Sequence, residues 1–171
     1  MTPKPTTTKK VTTTTKTTTT PTTTPHSTET TTPKPTTTKT VNGTNRPDLA
    51  IQLLTLANEK RAERGLHALT LNASLTSSAE LRATEVAIKQ SHTRPNGTSF
   101  RTTITIPYTR SVEIIAWGGN RPSPEAAVTG WYNSPVHKRN LLHQEYTEVG
   151  VGCYSLNKWP YWCWVMIFIK P

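Results

Sequence analysis

The chain has 171 residues and a net charge of +10, and every aromatic residue and cysteine lies after residue 44. No basic run with interleaved aromatic residues occurs, which argues against a nucleic-acid-binding protein. No apolar stretch reaches the ~18 residues of a transmembrane helix, so we expect no membrane-spanning segment.

Residues 1–44 consist almost entirely of Thr, Pro and Lys. Such a segment cannot bury enough apolar surface to offset the entropy lost on ordering, so we predict a disordered spacer. Thr-rich, Pro-punctuated segments are typical of extracellular stalks. The first residues lack the apolar core of a signal peptide. We therefore expect an extracellular or cell-wall-associated protein whose signal peptide is not part of this sequence.

Residues 45–171 are predicted to form one domain that begins with two amphipathic helices. The first helix opens at Pro47, carries apolar residues at helical spacing and stops before Gly65. The second helix is capped by Asn72 or Ser74 and again has one apolar face. Both helices should therefore pack against a shared core.

His92 directly follows the second helix, where a rigid element holds it and a loop leaves it accessible. A lone histidine in such a place more often faces solvent. Residues 102–106 alternate weakly in polarity and predict a short strand. Glu113 is the one charged residue within the apolar run 111–119. Because a buried carboxylate needs a partner, we favour a cavity position for it over an exposed turn.

The segment 131–142 combines an aromatic pair, a helix start and a histidine. Ser134 is expected to cap a helix through its hydroxyl, with the following proline at the first helical position. A similar Ser-Pro pair at Ser123 starts the preceding helix. His137 then lies in the first turn, and its neighbour Trp131 leads us to expect that it lines a cavity rather than facing solvent.

Residues 148–154 and 161–169 are predicted to be two strands joined by a turn. If this hairpin is centred on Lys158, Cys153 lies directly opposite Cys163, at a separation that a disulfide can span. Two cysteines in a chain expected to be secreted favour a disulfide over free thiols.

Several motifs occur in a fixed order, and together they resemble one protein family. They are residues 58–64, 71–75, 91–97, 113–116, 131–142 and 148–152. This ordered set is similar to that of the CAP superfamily (cysteine-rich secretory proteins, antigen 5 and pathogenesis-related proteins). The similarity is greatest to its short bacterial secreted members of the SCP-like type, and it covers residues 48–169.

The resemblance implies an α+β fold, a three-layer α-β-α sandwich with a small antiparallel sheet and a central cavity. His92, Glu113 and His137 match three of the four positions that line this cavity in many eukaryotic members. The fourth position is a carboxylate in those members, but here it is Ser134, as is common in bacterial members. With one carboxylate only, a two-carboxylate acid–base mechanism has less support.

Two imidazoles and one carboxylate form a sound partial ligand set for Zn²⁺, with water completing the tetrahedron. The spacing of His92, Glu113 and His137 matches no local metal motif, so this expectation depends on the resemblance. The alternative is a structural hydrogen-bond network in which Glu113 holds both histidines.

Three functions are compatible with these residues. The first is a surface-displayed binding module whose cavity takes a small molecule, a lipid or a cell-envelope ligand, which suits a long spacer. The second is a metal-assisted hydrolase or peptidase with Glu113 as general base, or with Ser134 and His137 as a nucleophile pair. The third is a structural or adhesive domain. We favour a binding module that acts as a monomer, and we assign no catalytic residue.

Overall fold

The computed structural model describes residues 41–171, together with Met1 and Lys4. The predicted disordered spacer therefore lies almost entirely outside the described residues. Its last residues, Gly43 and Thr44, are already paired in a strand. The described residues from 41 onward belong to one compact unit.

This unit contains four α-helices, five strands and one short 3-10 helix. In chain order they are β1 (Gly43–Asn45), α1 (Pro47–Ala62), β2 (Thr70–Leu71), α2 (Ala73–Ile88), the 3-10 helix (Phe100–Thr103), β3 (Arg110–Trp117), α3 (Pro124–Asn133), α4 (Pro135–Leu141), β4 (Glu148–Leu156) and β5 (Trp162–Lys170). No helix among these residues is long and apolar enough to cross a membrane.

The strands form one sheet in the order β1-β4-β5-β3, in which neighbours run antiparallel. The short strand β2 adds a parallel pairing to β4. Helix α2 packs on β4 and β5 across one face of the sheet, whereas α1, α3 and α4 cover the other face. The predicted α+β fold with a three-layer α-β-α arrangement is confirmed.

Local signals explain where the two long helices begin. Pro47 occupies the first turn of α1, and Gly65 just beyond its end has a positive φ of 67°, which glycine adopts without strain. The side chain of Asn72 accepts a 3.1 Å hydrogen bond from the Leu75 amide and so caps α2. Both helix starts therefore follow the sequence prediction.

Each face of the sheet has its own hydrophobic core, and alternation along the strands assigns residues to one or the other. Trp131, Trp164 and Phe168 are buried on the α1 side, whereas Leu75, Ile115 and Ile167 are buried on the α2 side. Helix α2 lies unusually close to β4. A Cβ added at Gly150 or Gly152 would overlap the helix backbone, so only glycine fits there.

The strand expected over residues 102–106 is wrong. Phe100–Thr103 form a 3-10 helix instead. The hydroxyl of Thr102 donates to the Ser99 carbonyl at 2.8 Å, and that of Thr103 donates to the Phe100 carbonyl at 2.8 Å. Such local side-chain bonds satisfy the backbone without a partner strand.

The expected disulfide is also wrong, because the hairpin register differs by one residue. Cys163 lies opposite Tyr154, and Cys153 lies opposite Trp164. The Leu156 amide donates to the Tyr161 carbonyl at 2.7 Å, so the loop holds an even number of residues and cannot centre on Lys158. A shift by one residue reverses the face, and the two cysteines are free thiols in opposite cores.

Candidate functional site

The site is organised around Glu113, whose side chain is fully buried on the α2 side of β3. Arg82 of α2, equally buried, donates from Nε to Glu113 Oε1 at 2.7 Å and from Nη2 to Oε2 at 3.4 Å. The pair explains how an isolated carboxylate within an apolar strand is tolerated, since its charge is matched and both oxygens are hydrogen-bonded.

Arg82 also fixes the end of α2. Its Nη1 donates to Glu85 Oε2 at 2.6 Å, and its Nη2 donates to the Ser91 carbonyl at 2.7 Å. Arg94 holds the same Glu85 carboxylate, with its closest contact at 2.8 Å. Burial by itself lowers the pKa of the Arg82 guanidinium, but the hydrogen bonds and charges of Glu113 and Glu85 outweigh it and raise the pKa.

His92 is positioned by this network. Its Nδ1 lies 2.7 Å from Glu113 Oε2, while 54% of its side chain remains exposed. A carboxylate that is ion-paired to Arg82 is ionised and accepts only, so Nδ1 carries the proton. The other ring nitrogen, Nε2, has no hydrogen-bond partner within residues 41–171. His92 is therefore accessible, as expected for a histidine that follows α2, and Glu113 holds its ring in place.

His137 approaches from the opposite layer, on α4. Its Nδ1 lies 2.9 Å from the hydroxyl oxygen of Ser134. Partial burial and the nearby charge of His92 lower the pKa of His137, in that order of importance. The imidazole is therefore neutral at physiological pH.

Ser134 precedes α4 but does not cap it with its side chain, which is a correction to the expected role. No hydrogen bond joins its hydroxyl to the first backbone amides of the helix. The hydroxyl contacts His137 instead. The analogous serine at the start of α3, Ser123, does accept a hydrogen bond from the Ala126 amide at 3.3 Å.

A cleft of about 330 Å³ opens beside His137. It is lined by Ile115, Ala116, Trp117, Asn120, Arg121, Gly130, Trp131, Ser134 and His137. Trp131 is buried and donates from Nε1 to the Ile115 carbonyl at 3.1 Å, which ties α3 to the outer edge of β3. Ser134 and Trp131 thus form walls of a cleft, whereas His92 and Glu113 are not among its lining residues.

His92, Glu113 and His137 supply fewer than three metal ligands in this arrangement. Both oxygens of Glu113 accept hydrogen bonds, from Arg82 and His92, and the side chain is fully buried, so this carboxylate serves to orient an imidazole. Among residues 41–171, no group of three or more His, Cys, Asp or Glu side chains is arranged to hold a metal. What remains is a pair of imidazoles, which supplies two of the four ligands typical of Zn²⁺.

Arg82 was not identified from the sequence, although a signal exists. It lies between Ala79 and Val86 on the apolar face of α2, at helical spacing that predicts burial. A cation in such a place needs a buried acid, and Glu113 is the isolated acid in an apolar run. A cation on the apolar face of α2 and an isolated acid in an apolar run together predict a buried ion pair.

The comparisons with known proteins agree with this architecture. Residues 54–168 match the sequence model of the CAP family, described as the cysteine-rich secretory protein family. Protein YkwD of Bacillus subtilis is 30% identical over 106 residues, which are 59% of this chain and 40% of that protein. The chain thus spans well under half the length of this relative.

Two solved structures are similar in fold. An extracellular protein containing an SCP domain from Bacillus anthracis has 25% identity and a TM-score of 0.62, over 73% of this chain and 41% of that one. An outer surface protein of Borrelia burgdorferi has 23% identity and a TM-score of 0.64, over 75% of this chain and 98% of that one. The chain therefore belongs to the CAP family, the cysteine-rich secretory protein family.

Proposed function

We propose that this chain is an extracellular or surface-displayed CAP-domain protein that binds a ligand in the cleft beside His137, with a divalent metal ion held between His92 and His137. The observation that carries the proposal is the matched state of the two imidazoles. Each has its Nδ1 engaged, by Glu113 in one case and by Ser134 in the other. Within residues 41–171 neither Nε2 has a hydrogen-bond partner, so both can serve a ligand when Nδ1 carries the ring proton.

This arrangement resembles the way proteins prepare histidines for metal binding. A ligating imidazole usually bonds a carboxylate or another polar group through its other nitrogen, which sets the tautomer and the ring orientation. Metal binding also needs a neutral ring, and the lowered pKa keeps His137 neutral. A bound Zn²⁺ would supply Lewis acidity and open coordination positions for a ligand.

An extracellular location is supported by the relatives. The Bacillus anthracis protein is described as extracellular and the Borrelia burgdorferi protein as an outer surface protein. The Thr-rich composition of residues 1–44 is typical of extracellular stalks, which present a domain at a distance. A recognition module suits such a display.

Zinc titration by calorimetry tests the proposal. We expect the full chain to bind Zn²⁺ near neutral pH, and the His92→Ala/His137→Ala variant to lose that binding. The matched control is His67→Ala/His143→Ala, which removes two histidines outside the site and should bind as the parent does. Absence of binding by the parent, or equal binding by both double variants, would leave a structural or adhesive role for the cluster.

Hydrolysis is the second candidate, and one contact favours it. The Ser134 hydroxyl lies 2.9 Å from a neutral imidazole at the cleft wall, as a nucleophile and its base do. Glu113 is a poor general base, because it is buried and ion-paired to Arg82. Turnover of ester or peptide substrates should disappear in both Ser134→Ala and His137→Gln, and turnover that survives either change excludes this mechanism.

A further inference from the structure

The loop between β4 and β5 displays two aromatic rings to solvent. Trp159 is 63% exposed and Tyr161 is 44% exposed, and both are therefore among the exposed large hydrophobic residues of the described chain. Their ring centroids are 6.4 Å apart and the ring planes meet at 89°. Neighbouring exposed aromatic rings form a contiguous apolar patch, and such patches often mark interaction sites.

Two glycines in the turn after β3 lie next to these rings. A Cβ added at Gly118 would lie 3.2 Å from the Trp159 indole, and one at Gly119 would lie 3.4 Å from the Tyr161 ring. Each ring therefore lies close to glycine backbone, which leaves room for it. We define Trp159, Tyr161, Gly118 and Gly119 as the aromatic ledge.

Backbone hydrogen bonds fix both segments that form the ledge. The Tyr161 amide donates to the Lys158 carbonyl at 2.8 Å, and Tyr161 holds a positive φ of 62°, which a bulky residue seldom adopts. In the glycine turn, the Arg121 amide donates to the Gly118 carbonyl at 3.1 Å. Strained backbone of this kind is found mostly at functional sites.

The ledge leads directly into the cleft. The turn that carries Gly118 and Gly119 is flanked by Trp117, Asn120 and Arg121, and all three line the cleft. The Arg121 carbonyl accepts a 2.8 Å hydrogen bond from the buried Trp164 indole, so the base of this side chain is fixed.

The guanidinium of Arg121 is available to a ligand. Within residues 41–171, its one hydrogen bond runs from Nη1 to the neighbouring Asn120 carbonyl at 3.0 Å, and no carboxylate pairs with it. A Cβ at Gly130 would lie only 2.8 Å from its Nη2, so the group lies along α3 where a side chain is missing. An unpaired, planar cation of this kind favours a bidentate contact with a carboxylate.

We propose that the aromatic ledge and Arg121 form a binding site for an acidic polysaccharide, a glycan with carboxylate-bearing sugars. The inference rests on the proposed function, because it assigns the ligand class of the same cleft. A pyranose ring has an apolar C–H face that stacks on an aromatic ring and polar edges that remain hydrated. Asn120 meets hydroxyl or N-acetyl groups, and Arg121 meets the carboxylate.

Charge separates this ligand class from the alternatives. Lys158 lies in the exposed loop and Arg121 in the cleft, so a cationic headgroup would be repelled at the ledge. A membrane surface would engage the exposed rings, but Asn120 and Arg121 line a cleft beside them, which suits a chain that enters the cleft better than a flat surface does. A carboxylate-bearing sugar chain satisfies the rings and the cation together.

Calorimetric titration of the full chain with hyaluronate and with polygalacturonate, at physiological ionic strength, tests the proposal. We expect saturable binding of at least one of them, and weaker binding of the neutral polymer dextran. Trp159→Ala and Arg121→Ala should each weaken binding about tenfold or more, because anchoring Trp and Arg residues dominate such sites. Trp159→Phe retains a ring and should recover part of the loss.

Matched controls separate this result from general attraction to polyanions. Ile51→Ala removes another exposed hydrophobic residue, and Arg139→Ala removes an exposed arginine outside the ledge and cleft. Both should bind as the parent does. Poly-glutamate provides the carboxylates without sugars and should bind more weakly than the glycans.

The proposal is overturned by no binding of either acidic glycan, by binding that Trp159→Ala or Arg121→Ala leaves unchanged, or by equal binding of poly-glutamate. Preferential binding to vesicles of anionic phospholipid over the glycans would overturn it in favour of a membrane surface. Zinc binding measured on the same variants keeps the two proposals separate. Trp159→Ala should bind zinc normally, so loss of glycan binding alone does not contradict the role of the histidines.

Discussion

Arg82 and Glu113 form a fully buried ion pair across the interface between α2 and β3, with 2.7 Å between Nε and Oε1. The two residues come from different layers of the sandwich, and the same carboxylate orients His92. The pair therefore connects the stability of the fold to the geometry of the candidate site.

Replacing Arg82 with Met should leave Glu113 buried without its partner. We expect a loss of about 3–5 kcal/mol in the free energy of unfolding, measured by urea denaturation. The double variant Arg82→Met/Glu113→Leu should recover much of this loss, because no charge is then buried. Lys60→Met is the control, since it breaks an exposed ion pair with Glu63 and should cost about 1 kcal/mol or less. A loss below that of the control would contradict the pairing.

The stability of the fold should depend on the protonation of His137. Its pKa in the folded state lies below the ordinary value of 6.5. Between the folded-state pKa and 6.5 the unfolded chain binds more protons than the folded chain does. The stability that His137 contributes is therefore fully present above pH 6.5 and is lost as pH falls through the folded-state pKa.

An NMR titration of the imidazole checks this directly, beside urea denaturation at several pH values. His92→Gln removes the repelling charge and should raise the pKa of His137 only in part, because burial is the larger cause. His137→Gln should flatten the dependence of stability on pH. A pKa above 6.5 for His137 would contradict the partly buried position.

Both cysteines should behave as inert free thiols in the folded protein. Burial raises the pKa of Cys153 and of Cys163 to about 12, and the thiolate is the reactive form. We expect no reaction with a thiol reagent before denaturation and two equivalents afterwards. Reducing agent should leave the melting temperature unchanged. Titration of no thiol after denaturation would indicate the disulfide that the register excludes.

The glycines of β4 should not tolerate a side chain. A methyl group at Gly152 overlaps the carbonyl of Ala79, which is helix backbone and cannot turn aside. We expect Gly152→Ala to cost about 3 kcal/mol or more, because α2 must move away from the sheet. Gly119→Ala is the control, since its nearest neighbour is an exposed tyrosine ring 3.4 Å away. Equal stability of both variants would contradict the close packing.

The two Ser-Pro helix starts should differ in their response to mutation. Ser123→Ala removes a side-chain cap and should cost about 1 kcal/mol. Ser134→Ala removes no cap and should cost less, while changing the titration of His137, to which its hydroxyl is bonded. A larger loss of unfolding free energy for Ser134→Ala, seen in thermal or urea denaturation, would assign a capping role to its hydroxyl after all.

Much of the fold was predictable because its signals are local. The start of α1 at Pro47, the cap of α2 at Asn72 and the start of α3 after Ser123 each depend on residues within one helical turn. The apolar faces follow from spacing alone. The set of ordered motifs predicted the family, which the match over residues 54–168 confirms.

The candidate site was predictable only in part. Glu113 and His92 do contact each other, 21 positions apart in the chain, and the isolated charge of Glu113 was the clue to burial. Its engagement by Arg82 was missed, and with it the reason that Glu113 orients His92 instead of serving as a third metal ligand. Ser134 shows the same limit, since a cap and a contact with His137 are both compatible with one local pattern.

Where helices begin and which faces are apolar could be predicted from the sequence alone, because capping and periodicity act between residues a few positions apart. The family was predicted from the ordered set of motifs that resembles it. Tertiary structure alone decided which charge meets Glu113 and which core receives each cysteine. Pairing across the hairpin depends on whether its loop has an odd or even number of residues, and one residue exchanges the two faces of the sheet. Such choices are made by packing between distant segments, for which no local pattern exists.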